Sequence, residues 1–203
     1  MAGVANPAVW RSVREAALPQ VFPESEVAVL SLLGTRALVA YRVDEVEHGR
    51  RQAARADRLD SIPVLERLLC LPAGIPVAMA SLSDPAGVGV LPQGAVQRGG
   101  GMVTRLAVRP LAVDIVVVRV AGWRNGLERA GRFAPFCCRA VLVDEGPHMG
   151  EEGFLAEAAF YGIGVLVKGS EGIRTALEPE AYRPQRYTAA AWHFVEELYA
   201  RLH

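Results

Sequence analysis

The chain has 203 residues, 22 basic and 22 acidic, a formal net charge of zero and 51% hydrophobic residues. That composition supplies a core for one substantial domain, or a domain with a small appendage, and excludes wholesale disorder. No apolar run approaches the roughly 20 residues that span a bilayer, and a neutral chain sets up no global field toward nucleic acid or anionic membrane.

At the start, Arg11, Arg14 and Glu15 stand where a signal peptide needs an apolar stretch, so the expected location is cytoplasmic, with no membrane partner. Val9 to Leu18 fits a short helix ended by Pro19, and Glu24 to Leu33 a second, stopped by Gly34. Arg36 to Val43 partly alternates and reads as a strand. The charged run Asp44 to Arg58 is expected to be a solvated helix or loop, with Asp44, Glu45, Glu47 and Asp57 offsetting its arginines. These first 58 residues are taken as a partly helical extension, and residues 59–203 as the main domain.

From Asp60 the pattern sharpens. Asp60 or Ser61 can cap a helix with Pro63 in its first turn and Glu66 near the capping-box position. Ile62, Leu65, Leu68 and Leu69 mark its apolar face, and Pro72 with Gly74 closes it. Ile75 to Leu82 reads as a strand, followed by a turn region to Gly101 with a short strand near Val88 to Leu91. Met102 to Val108 and Asp114 to Val120 read as two strands joined by a turn. The second is a near-continuous apolar run suited to a strand covered on both faces. Trp123 to Phe133 is a helix, Arg139 to Val143 a strand, Glu151 to Tyr161 a helix and Ile163 to Val167 a strand. Ile173 to Leu177 suits an edge strand. Ala189 to Leu202 is an amphipathic closing helix with Trp192, Val195, Leu198, Tyr199 and Leu202 on one side. The expected fold is α/β, a mixed central sheet flanked by helices.

Cys70, Cys137 and Cys138 have no CxxC spacing and read as plain buried thiols. Gly99-Gly100-Gly101 lacks the Lys-Ser/Thr of a phosphate loop and reads as a turn. Tyr161-Gly162-Ile163-Gly164 reads as a helix stop, and His48, His148, His193 and His203 have no ligand spacing. No cofactor is expected.

The string VTRLAVRPLAVDIVVVRVAGWRNGLERAGRF, together with the element order, resembles the PD-(D/E)xK nuclease superfamily over about Asp60 to Val167. Trp123, Leu127 and Ala130 fit that family's tryptophan-containing helix, and Arg139 to Val143 its following strand. The resemblance implies a restriction-endonuclease-like fold. It also implies a metal held between carboxylates on adjacent strands, and a lysine two residues beyond the second carboxylate, on the same sheet face. Here the aspartate, glutamate and lysine positions fall on Thr104, Arg119 and Ala121. The implied reading is a nuclease-like module that does not cleave, with no metal. Asp114 and Glu128 are the candidates should the carboxylates have moved and the chain be an active nuclease. Asp84 and Glu66 have no local partner.

Lys168 is the sole lysine, which together with abundant Ala, Gly and Val points to a GC-rich bacterial genome. Arginine count alone therefore says little, and clustering has to carry the argument. Arg105, Arg119, Arg124, Arg129 and Arg132 surround the degenerate site and can contact phosphates of DNA or RNA. The alternative is ordinary surface pairing with Glu128, Asp144 and Glu145. The other functional class is a protein-interaction module or homodimer that uses apolar residues such as Trp10, Phe22 and Phe136.

Overall fold

The structure, a computed structural model, describes residues 24–146, 153–184 and 186–203. It is α/β, with a mixed six-stranded sheet, a three-stranded sheet and, among the described residues, six α-helices. The chain divides into two compact units. The first takes the described residues up to Arg42 together with Val113–Arg183, and the second takes Val43–Ala112 with Pro184–His203. The expected helix at Val9 to Leu18 lies outside the described residues.

The first unit is built on the six-stranded sheet. Residues 24–33 were expected to be helical, but β1 (Glu26–Leu32) is a strand in a hairpin with β2 (Thr35–Val43). The physical reason lies in the turn. Leu33 and Gly34 both take positive φ, 48° and 73°, the pattern of a two-residue hairpin loop that follows strand twist. Val27 and Val29 then alternate onto the core. Next in the sheet come β6 (Leu111–Arg119), β7 (Cys138–Asp144), β8 (Gly164–Gly169) and the edge strand β9 (Gly172–Leu177). β6, β7 and β8 run parallel, and β9 returns antiparallel.

Period-two alternation gives this sheet two apolar faces. Leu38, Ala40, Ile115, Val117, Cys138, Ala140, Leu142 and Leu166 form one cluster, packed by Tyr182. On the opposite face Val116, Val118, Val141, Val165 and Val167 are fully buried. The parallel connections carry α4 (Trp123–Gly131) and α5 (Phe154–Phe160), which right-handed crossover puts on the same face. Trp123 meets Phe154 with ring centroids 5.2 Å apart, so the two helices start side by side.

In the second unit the charged run that was expected to be solvated folds as α1 (Glu45–Ala54), capped by Asp44. α2 (Ile62–Leu69) follows Ser61, whose side chain makes no cap hydrogen bond. The expected strand at Ile75 to Leu82 shortens to β3 (Pro76–Ala78), because a 3-10 turn takes over at Met79. The expected strand near Val88 is instead the short helix α3 (Pro85–Gly89), nucleated by Asp84 accepting from the Gly87 N–H. β4 (Val96–Gly99) and β5 (Met102–Arg105) form a hairpin through Gly100 and Gly101, φ 57° and 73°, so the glycine triplet is a turn. β3, β5 and β4 form the smaller sheet, and α6 (Ala189–Leu202) closes the chain.

α1 and α6 share a buried ionic network. Arg51 donates to Glu47 at 2.7 Å, to both Glu196 oxygens at 2.7 and 2.8 Å and to the Val108 carbonyl. Arg50 forks onto Glu47, and the Trp192 indole donates to Glu196. Burial alone would push the Glu47 carboxyl up, but hydrogen bonds from Arg50 and Arg51 outweigh it and hold the group below its usual value. A depressed carboxyl contributes stability above the unfolded glutamate value, about pH 4.3, and that contribution is lost as pH falls through the lower folded value. Melting temperature should therefore drop more steeply below about pH 4.3 in the natural protein than in Glu47→Gln. Parallel pH profiles for the two proteins would count against this account.

Candidate nucleic-acid interface

The site begins where β6 ends. A run of buried valines carries the strand through the sheet, and Arg119 is its last residue, half-buried. Its guanidinium donates to Asp144 at the end of the neighbouring β7, 3.1 Å away. Chain then turns at Gly122 into α4. That helix buries Trp123, Gly126, Leu127 and Ala130 and leaves Arg124, Glu128 and Arg129 exposed, as 3.6-residue periodicity requires. Arg124 lies over the Trp123 ring at 4.4 Å, and Arg132 pairs with Glu128 at 3.1 Å, one turn away. Among the described residues, Arg129 has no hydrogen bond or ion pair.

The other expected residues are placed differently. Thr104 was aligned as the strand partner of Arg119, but β5 lies in the three-stranded sheet between β3 and β4, while β6 lies beside β2 in the larger one. The two strands are close in sequence without being neighbours in a sheet. Arg105, on the same β5, belongs to the second unit, whereas α4 belongs to the first. It donates to the Leu68 carbonyl and lies 5.5 Å from the Trp192 ring, and burial lowers its pKa from the usual arginine value. Ala121 is exposed, just before α4.

The residues do not fit the metal that the resemblance implies. β2, the neighbour of β6, reads TRALVAYRV and carries no acid at all. Asp114, the one carboxylate within β6, accepts two hydrogen bonds from Arg42 Nε and one from its Nη2, with a further 2.7 Å bond from Ser25. It sits at the start of β6, beside the end of β2, whereas Arg119 is at the other end. Glu128 is exposed and paired with Arg132. Asp144, at the end of β7, is held by Arg119, so a cation would face a guanidinium between itself and its ligand. Among the described residues no three His, Cys, Asp or Glu side chains are grouped to hold a metal.

The sequence reading missed two features. Arg51, Glu47, Glu196 and Trp192 form the buried network described above. Of that network only the i,i+4 spacings Glu47–Arg51 and Trp192–Glu196 are visible in sequence. Beside it His48 hydrogen-bonds Tyr199 at 2.7 Å and stacks near His203, so two histidines read as scattered are in fact adjacent. Cys70, expected to be buried, is exposed at the end of α2. Cys137 is buried, and that burial pushes its thiol well above the usual value, as for an inert core residue. Trp10 and Phe22 lie outside the described residues, and Phe136 is half-buried. Among the described residues no helix is long and apolar enough to cross a membrane.

No family model matches the chain, and no curated protein or solved structure is similar enough to show a relationship.

Proposed function

We propose that the chain is a non-cleaving nucleic-acid-binding module built on a restriction-endonuclease-like sheet. The observation that carries the reading is the outer face of α4. It presents Arg124, Arg129 and Arg132 against a single acid, Glu128, and Arg129 has no partner among the described residues. Arg129 and Arg132, three residues apart, are separated by about 4.5 Å along the helix axis, close to one base step of a nucleic-acid strand. Side chains so spaced can meet successive phosphates, and their fixed positive charge needs no metal to do so.

The strand set supports the nuclease-like part of the proposal. A hairpin, a third strand, a tryptophan-bearing helix and a further parallel strand occur in the order β1, β2, β6, α4, β7. In that order the aspartate-bearing strand corresponds to β2 rather than to β5. An acid-free β2 beside Arg119 supports the absence of two-carboxylate chemistry.

The test is a fluorescence-anisotropy titration of labelled duplex DNA across a salt series, with EDTA or Mn²⁺ and a gel to detect cleavage. Replacing Arg129 and Arg132 together with alanine is expected to weaken binding on the order of tenfold at low salt. The same change should flatten the log–log salt slope by roughly 1.8, the yield of two lost phosphate contacts on duplex DNA. No binding of any nucleic acid at low salt would refute the proposal, and Mn²⁺-dependent cleavage would refute its non-cleaving half.

A further inference from the structure

Every exposed surface of α5 that faces away from the sheet is apolar apart from Glu157. Leu155, Ala156, Ala159 and Phe160 are all exposed, and Tyr161 follows them at the helix end. A helix with a single polar side chain normally lies largely inside a protein, yet Phe160 is 82% exposed and Tyr161 50%. Their rings meet edge to face, centroids 5.2 Å apart and 80° between planes; the contact covers a face of one ring, and the exposure of both leaves other ring surface open to a further stacking partner. Arg139 pins this corner by donating to the Tyr161 carbonyl, and the Tyr161 N–H is tied back to Glu157. The rings are thus presented on fixed backbone.

We propose that Phe160 and Tyr161 form a stacking platform for an unpaired base of a single-stranded nucleic acid, whose phosphates run along α4. This rests on the reading of α4 as a phosphate-binding face and narrows it to single strands. Three observations select this occupant. First, α4 and α5 start together at the Trp123–Phe154 contact and descend the same face, so Arg132 and Phe160 finish at the same end of the sheet. A base on the rings therefore has arginines one helix away, across the roughly 8–10 Å that separates packed helices. Second, the patch is small. Phe160, Tyr161 and Leu155 together expose roughly 300 Å², given the size of such side chains. A symmetric pair of these patches would bury about 600 Å², half of what a stable dimer needs. Third, the balance of charge differs between the two helices. Glu157 and Glu180 flank the rings with Arg139 beside them, whereas on α4 Arg124, Arg129 and Arg132 outnumber Glu128, so the backbone of a strand is directed onto α4.

The experiment uses the full chain and three labelled probes of equal length: an oligo-dT strand, an abasic strand with the same phosphates, and a duplex. Oligo-dT is expected to bind about tenfold tighter than the abasic strand, the worth of stacking roughly one base on an aromatic ring. Phe160→Ala should erase that gap, Phe160→Trp should keep it, and duplex binding should change by less than about twofold, because paired bases never reach the rings. Equal binding of oligo-dT and abasic strand, or a gap that survives Phe160→Ala, overturns the platform. If Arg129→Ala with Arg132→Ala still weakens all three probes, the phosphate-binding reading stands without it. If no probe binds at low salt, that reading falls first. A dimer in sedimentation velocity that Phe160→Ala disperses would overturn the platform in favour of a second copy of the chain.

Discussion

Arg51→Met is expected to lower the unfolding free energy by about 3–5 kcal/mol, a large share of what holds a domain of this size together. The size of the effect follows from what is left behind. Glu47 and Glu196 are 2% and 1% exposed, and Arg51 is the cation they share. Without it Glu47 keeps Arg50, but Glu196 keeps only the Trp192 indole. A buried carboxylate with one neutral donor costs several kcal/mol to keep ionised, more than the methionine recovers by packing. Urea unfolding at pH 7 measures the loss. Arg51→Met combined with Glu196→Leu should recover part of it, since a charge and its partner then leave together. A single-variant loss below about 1 kcal/mol would show that water reaches the network and solvates the stranded carboxylate.

That network also shows where sequence reasoning stops. Glu47 and Arg51 are four residues apart on a helix, so their pairing is local and legible, but Glu196 lies 145 positions away. Nothing local announces that partner, and the segment reads as solvated. The same contrast runs through the fold. The central position of β6 was legible because Val116, Val117 and Val118 are apolar on both faces, which only a covered strand tolerates. β1 was not, since EVAVLSL followed by Leu33-Gly34 suits a helix stop as well as a hairpin. The deciding feature, positive φ at the non-glycine Leu33, leaves no mark in composition. The candidate site failed in one specific way. The resemblance to the nuclease superfamily implies carboxylates on adjacent strands, and on that ground Thr104 was set beside Arg119. β6 instead neighbours β2 in the sheet, from which the Val43–Ala112 segment of the second unit separates it in the chain. The positions of Arg124, Arg129 and Arg132 around α4 do not depend on that pairing, because helix periodicity alone sets them.

Trp123→Ala is expected to cost about 3–5 kcal/mol and to lower Tm on the order of 10 °C. The indole is 4% exposed, at the first turn of α4, where Gly122 supplies no capping side chain. The start of the helix is therefore fixed by packing rather than by a cap. Trp123 meets Phe154 of α5, so truncation opens a cavity between the two helices as well as beneath one. A second consequence follows on the surface, because the Arg124 guanidinium stacks on the same ring. With the ring gone, Arg124 loses a contact worth about 0.5–1 kcal/mol and samples more rotamers. Trp123→Phe keeps an aromatic surface for both neighbours and should lose less than half as much stability. A double-mutant cycle of Trp123→Phe and Arg124→Ala separates the two terms. Coupling between them should be under about 1 kcal/mol, with most of the loss assigned to the Phe154 side. If Trp123→Ala instead melted within a degree or two of the natural protein, α4 would be held by something other than this contact. The fixed presentation of Arg124, Arg129 and Arg132 would then lose its structural basis.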